Sequence, residues 1–235
     1  MTITSTTLTR AAAFAAMYAG LAYVAVQFIH PADEIASLST QPWVNVHILS
    51  FTEAVLALVG ITGIYLRQVR QFGILGLISY VMLGFFFILQ ASFNFAEAFI
   101  APLMAKDAPQ LATDFAGLFG RYAAVTDLGA LAALPRVGAI LYVGGALLFG
   151  ISIIRARVLS RGAGILMIAA AVITPVAGAL LPHALERMAA VPMGLAIAWL
   201  GYSLWADLRK NKVRLQLSTD GSNADESRVD RAAAV

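Results

Sequence analysis

Six stretches of this chain, at residues 11–29, 44–66, 72–101, 137–154, 162–181 and 189–206, are almost uninterruptedly apolar. A helix that crosses the hydrocarbon core of a bilayer, about 30 Å thick, needs about 20 such residues, because its backbone groups must bond within their own segment. The stretches meet that requirement, and no other part of the chain competes with them. The expected fold is therefore all-α: a polytopic membrane helix bundle with six transmembrane helices. The links at residues 67–71 and 155–161 are too short to do more than reverse the chain, so the helices they join should run antiparallel.

Composition supports this class and removes others. Hydrophobic residues make up 60% of the 235 and charged residues 12%, with a mean hydropathy of +0.81, whereas soluble domains are about a quarter charged. A formal net charge of +3, without a basic groove or stacking motif, does not point to nucleic acid. The absence of cysteine excludes disulfides, thiolate nucleophiles and metal sites built on sulfur.

The positive-inside bias sets the expected orientation. With the N-terminus inside, the inner segments hold Arg10, Arg67, Arg70, Arg155, Arg157, Arg161, Arg209, Lys210, Lys212, Arg214, Arg228 and Arg231, which is most of the 16 basic residues. The outer segments hold Lys106, Arg121, Arg136 and Arg187 beside Asp33, Glu34, Asp107, Asp114, Asp127 and Glu186. Both termini should be cytoplasmic, in a bacterial inner or plasma membrane. Residues 1–10 form the cytoplasmic N-terminus, residues 11–209 the transmembrane domain with an outer loop at 103–136, and residues 210–235 a disordered cytoplasmic tail without periodicity.

The first segment is expected to be a retained helix, since its apolar core exceeds the roughly 7–15 residues of a signal peptide and ends without a cleavage site. Ala12, Ala16 and Gly20, four residues apart, offer a row on which another helix can pack closely. The third segment stays apolar from Phe72 to Ala105, and a helix of that length would rise roughly 50 Å, so it must break or project, with Pro102 marking its end. Beyond it, Phe115, Leu118, Phe119, Tyr122 and Val125 recur at helical spacing within residues 109–134. They suggest one extracytoplasmic amphipathic helix over the bundle mouth.

Candidate site residues fall into three groups. Glu53 lies roughly 14 Å below the outer boundary, counted at 1.5 Å per residue from Val44, near the bilayer middle. A carboxyl there normally faces the bundle and is paired or protonated, either as a structural lock or as a proton or cation relay. Tyr23, Tyr80 and Thr174 occupy comparable depth, and Pro175 frees the carbonyl of Ala171 as an acceptor for a neutral Glu53. Gln90, Asn94 and Glu97 follow at i, i+4 and i+7 and so share one helix face, either as a solvated rim or as the wall of a funnel open to the outside.

His30, His47 and His183, the third group, all sit at outer helix ends. They read as ordinary interfacial imidazoles, or as ligands for haem, zinc or copper. The phenylalanines at 85–87, 93, 95 and 99 read as packing or lipid-facing groups. Without a lysine in any spanning segment there is no attachment point for a retinal Schiff base, and Trp43 and Trp205, at opposite faces, fit aromatic belts.

Three motifs carry a resemblance: Gly60-Ile61-Thr62-Gly63-Ile64-Tyr65-Leu66-Arg67, Phe95-Ala96-Glu97-Ala98-Phe99-Ile100-Ala101-Pro102, and Arg155-Ala156-Arg157-Val158-Leu159-Ser160-Arg161-Gly162-Ala163-Gly164. In their order the chain resembles uncharacterised six-helix bacterial integral membrane proteins of the actinobacterial type, a domain-of-unknown-function family. The resemblance extends from the second segment onward and implies the six-helix architecture, with no activity attached.

Metalloprotease, kinase, P-loop and dinucleotide fingerprints are absent, which points away from an enzyme. The favoured expectation is non-catalytic binding or transport of a small or lipid-like ligand through an outward-facing polar funnel. A haem- or metal-binding redox protein and an accessory subunit of a membrane complex are the alternatives. The expected partners are the lipid bilayer and another membrane protein or a second copy of the chain.

Overall fold

The computed structural model describes residues 3–119, 124–181 and 186–210. Its helices are α1 (Ser5–Ile29), α2 (Ile35–Leu38), α3 (Gln41–Phe99), α4 (Ala101–Asp107), α5 (Pro109–Ala116), α6 (Leu134–Ala156), α7 (Arg161–Leu180) and α8 (residues 191–210). There is no strand among the described residues. Five helical stretches are long and apolar enough to cross a membrane: Ser5–Ile29, Gln41–Phe99, Gly129–Ala156, Arg161–Leu180 and Arg187–Lys210.

The 59-residue α3 is a hairpin. At Gly73 the backbone takes φ 59° and ψ −158°, a region that only glycine enters readily, and the two arms then run side by side in opposite directions. Contacts between the arms record this: Trp43 with Glu97, Glu53 with Gln90, and Thr62 with Tyr80. Residues 67–71 are thus not the reversing link. Arg-Gln-Val-Arg-Gln is compatible with helix, and α3 continues through it until the one residue that can turn the chain.

Many alanines face the interior beside large groups such as Phe149, Ile153 and Leu200, while many of the largest apolar side chains face outward. Ala13, Ala16, Ala19, Ala54, Ala57, Ala146, Ala163, Ala170, Ala171 and Ala196 are buried, while Phe14, Leu21, Phe28, Leu66, Ile74, Phe85, Ile140, Ile165, Leu180 and Tyr202 are exposed. Lipid solvates large apolar groups, so helices in it gain by close backbone approach instead. The row Ala12, Ala16 and Gly20 provides that approach. Ala12 sits against Gly63, Ala16 against Gly60 and Gly201, and a Cβ on Gly20 would collide with the Gly194 carbonyl. α1 is wedged between the first arm of α3 and α8.

The helix ends collect at two levels of opposite character. At one level lie Arg10, Arg67, Arg70, Arg155, Arg157, Arg161, Arg209 and Lys210, where the Arg67 Nε donates to Asp207 Oδ2 (2.7 Å) and the Ser160 N–H to Ser203 Oγ (2.9 Å). At the other lie the start of α3, the end of its second arm and the acid-rich segments beyond. We call these the basic and acidic ends.

At the acidic end the second arm of α3 stops at Phe99, and Pro102 opens α4, as its missing N–H and fixed φ favour. The single amphipathic helix expected over residues 109–134 is replaced by shorter pieces: α5, a 3₁₀ turn at Gly117–Phe119 and another at Gly129–Ala133. Phe115 and Phe119 pack on Phe93 of α3, whereas Val125 is exposed outside any helix. The helical spacing reflects one short apolar face, interrupted at Gly117, which caps α5. Asp114 closes the segment by accepting from the Thr126 N–H (2.7 Å) and from Gln110 Nε2 (3.1 Å). Its hydrogen bonds to Thr126 hold its carboxyl below the usual carboxylate range. Tyr122, Arg121 and residues 211–235, which include nearly all of the expected disordered tail, lie outside the described residues.

Candidate functional site

The acidic end is built upward from the first turns of α3. Thr40 caps the helix by accepting from the Trp43 N–H (3.4 Å), with Pro42 in the first turn. One turn apart on the same face, Trp43 and His47 lie ring against ring at 4.2 Å between centroids. Trp43 is fully buried among Leu38, Ala101, Ala112 and Phe115, and its Nε1 donates to the Glu97 carbonyl (2.9 Å). It is therefore not the membrane-facing belt residue that its terminal position suggested; α2, α4 and α5 fold over it. Trp205, half-buried at the basic end, lies under the Arg209 guanidinium at 4.9 Å.

His47 is 1% exposed. Its Nδ1 lies 2.8 Å from the Trp43 carbonyl, which can only accept, so this nitrogen carries a proton. Nε2 then faces Glu97 Oε2 at 3.2 Å, and one proton shared between the two groups completes the pair. His30, at the C-cap of α1, stands edge-on to His47 at 4.9 Å and donates from Nδ1 to the Pro31 carbonyl (2.7 Å). Burial, together with the nearby Arg187 charge, lowers its pKa to about 4, so it is neutral at physiological pH. Arg187 is paired in turn with Asp33.

A cavity of about 330 Å³ opens beside these groups. Gln90, Asn94 and Glu97 line one wall, His30, Asp33 and Arg187 the rim, and Phe86, Leu89, Phe93, Phe119 and Gly138 the apolar remainder. The Gln90–Asn94–Glu97 stripe thus lines a cavity to which Ala116 of α5 and Phe119 of the turn after it also contribute. At its base Gln90 Nε2 donates to Glu53 Oε2 (2.8 Å). Glu53 is 1% exposed, and its Oε1, like the Oε1 of Gln90, is buried without a hydrogen-bond partner.

The remaining candidates separate. Tyr23 interacts with the Tyr142 hydroxyl and lies within electrostatic reach of Glu53. Tyr142 bonds to Thr174 Oγ1 (3.2 Å), which donates to the Ala170 carbonyl (2.9 Å). This hydroxyl chain closes on α7 without using the carbonyl of Ala171, and Glu53 meets Gln90 instead of that carbonyl; the structural lock expected at Pro175 is not formed. Tyr80, at similar depth, points elsewhere, bonding to Thr62 (3.1 Å) and stacking on Tyr65 at 4.5 Å. It is not part of the site.

His183 lies outside the described residues. His30 and His47 touch edge to face, and axial haem ligands must instead face each other across the macrocycle. Among the described residues no three His, Asp or Glu side chains converge as a metal site. The residues that sequence reasoning missed are Trp43, Asp33, Arg187 and Tyr142. Opposite charges close to helix ends were a signal for Asp33 and Arg187, but nothing local joins positions so far apart in the chain.

Comparison of the chain with protein-family models, with curated proteins and with solved structures finds no match.

Proposed function

We propose that this chain is a six-span integral membrane protein of the bacterial plasma membrane that binds a small or lipid-like amphipathic molecule in its acidic-end cavity, for capture or transport without covalent chemistry. The count of six takes each arm of α3 as a span. The positive-inside bias places the basic end in the cytoplasm and the cavity on the outer side, with both termini inside. Membership of the six-helix family that the motifs resemble is part of the same reading.

One observation carries the binding role: the cavity of about 330 Å³ has one polar wall and one aromatic wall, and the polar wall continues through Gln90 to the buried Glu53. That volume falls in the range of small-molecule pockets, about 300–1,000 Å³. Glu53, Gln90, Asn94 and Glu97 form the binding wall and its proton relay, while Tyr23, Tyr142 and Thr174 support Glu53 from the side.

Hexanol, hexanoate and hexylamine, added separately to the protein in lipid nanodiscs, test this role. At least one should raise the unfolding temperature, by mass action on the folded state. Gly138 lines the cavity and a Cβ on it has room, with its closest neighbours at 3.8 and 3.9 Å, so Gly138→Leu directs a side chain into the space and should abolish the shift. If no probe shifts the protein, or if Gly138→Leu responds as the native chain does, the cavity is not a binding site.

A further inference from the structure

Two buried oxygens at the foot of the polar wall, Gln90 Oε1 and Glu53 Oε1, have no hydrogen-bond partner. Asn94 Nδ2 donates to the Gln90 carbonyl (2.8 Å), and because that carbonyl can only accept, the orientation of the amide is determined: Oδ1 is the atom left over. Gln90 Nε2 is used by Glu53 (2.8 Å), leaving Gln90 Oε1 buried with no donor. Glu97 uses Oε2 on His47 and keeps a second carboxyl oxygen. Spaced i, i+4 and i+7 on the second arm of α3, these residues offer three acceptor oxygens along one line of the wall. Below them Glu53 Oε1 is also buried without a hydrogen-bond partner.

A buried acceptor without a donor is costly, and a ligand that brings N–H groups removes that cost at Gln90 Oε1. The rest of the lining agrees. Phe86, Phe93 and Phe119 bring three aromatic rings to the cavity, whose faces attract cations. The one guanidinium in the lining, Arg187, is paired with Asp33, so an anionic ligand would have to compete with a carboxylate already in place.

We infer that the cavity takes an organic ammonium: a protonated primary amine carried on a short apolar chain. Its N–H groups meet Gln90, Asn94 and Glu97, and its chain lies along Phe86, Leu89 and Phe93. This inference rests on the cavity being a binding site and adds the chemical class of the ligand.

The test compares binding constants for hexylamine, hexanoate and hexanol in the same nanodiscs. Hexylamine should bind at least tenfold tighter than either of the others. Glu97→Gln should lower hexylamine affinity about tenfold and hexanol affinity distinctly less, and Asn94→Leu, which keeps Glu97 beside His47, should have the same selectivity effect if Glu97→Gln does not fold. Binding of hexanoate or hexanol as tight as hexylamine overturns the ammonium assignment while the binding site stands. Failure of all three to bind overturns both.

Discussion

The two ends of the bundle are made by the same helices and satisfy their polar groups in opposite ways. At the basic end closed contacts join the helices: Arg67 with Asp207, Ser160 with Ser203, Arg209 over Trp205. Gln68 is the exception, a single buried amide whose Nε2 reaches the Ile64 carbonyl while Oε1 has no donor. At the acidic end, acceptors without donors gather around Glu53 and Gln90 and border a cavity. Closed pairs tie helices together, whereas surplus acceptors cost stability unless something else supplies the donors. The contrast separates an end fastened by pairs from the end that carries the proposed binding cavity.

The largest effect that would sharpen this contrast is at Trp43. Trp43→Ala should destabilise the protein by about 3–5 kcal/mol, because it empties the core beneath α2, α4 and α5 and strands the Glu97 carbonyl. Trp205→Ala, at a half-buried position, should cost distinctly less when the two are compared by thermal unfolding in one detergent. Equal losses would dissolve the difference between the ends.

A smaller effect is expected at Glu53. Glu53→Leu leaves the Gln90 amide without its acceptor and should cost about 1–3 kcal/mol, whereas Glu53→Gln, which keeps an acceptor oxygen, should unfold close to the native midpoint. If leucine is tolerated as well as glutamine, the Glu53–Gln90 contact contributes nothing to holding the two arms together.

The smallest effect concerns pH. His30 titrates at about 4 in the folded protein against 6.5 ordinarily, so between those values the unfolded chain binds more protons and stability falls as pH falls. His30→Gln should flatten that part of the pH profile of the unfolding midpoint, with little change above pH 7. An unchanged slope would mean that His30 is solvated and lies apart from the packed acidic end.

How much of this was legible depended on the coordinate involved. Position along a helix follows from counting residues at about 1.5 Å each, and the long apolar helices, the burial of Glu53 and the shared face of Gln90, Asn94 and Glu97 were all readable in that way. Rotation about a helix axis is set by packing against neighbours, which no local pattern states. Tyr80 and Tyr23 have similar depth, yet Tyr80 turns to Thr62 and Tyr23 toward Tyr142. Trp43 was assigned to the wrong side, because the segments that cover it lie up to 73 residues further along, at Ala116. The small-residue row on α1 was readable since Ala12, Ala16 and Gly20 can face a neighbour only along one line.

The reversal at Gly73 also acts as a phase marker. Glu53 and Gln90 lie 20 and 17 residues to either side of it, roughly 30 and 25 Å along their arms at about 1.5 Å per residue. Their meeting is a matter of counting: one residue added to or removed from either arm between Gly73 and its partner would turn that partner about 100° around its axis. Spans of this kind tolerate many exchanges of one apolar residue for another, but here the length of each arm is itself under constraint. The meeting of Glu53 with Gln90 is kept in step by a single hinge at the far end of the two arms.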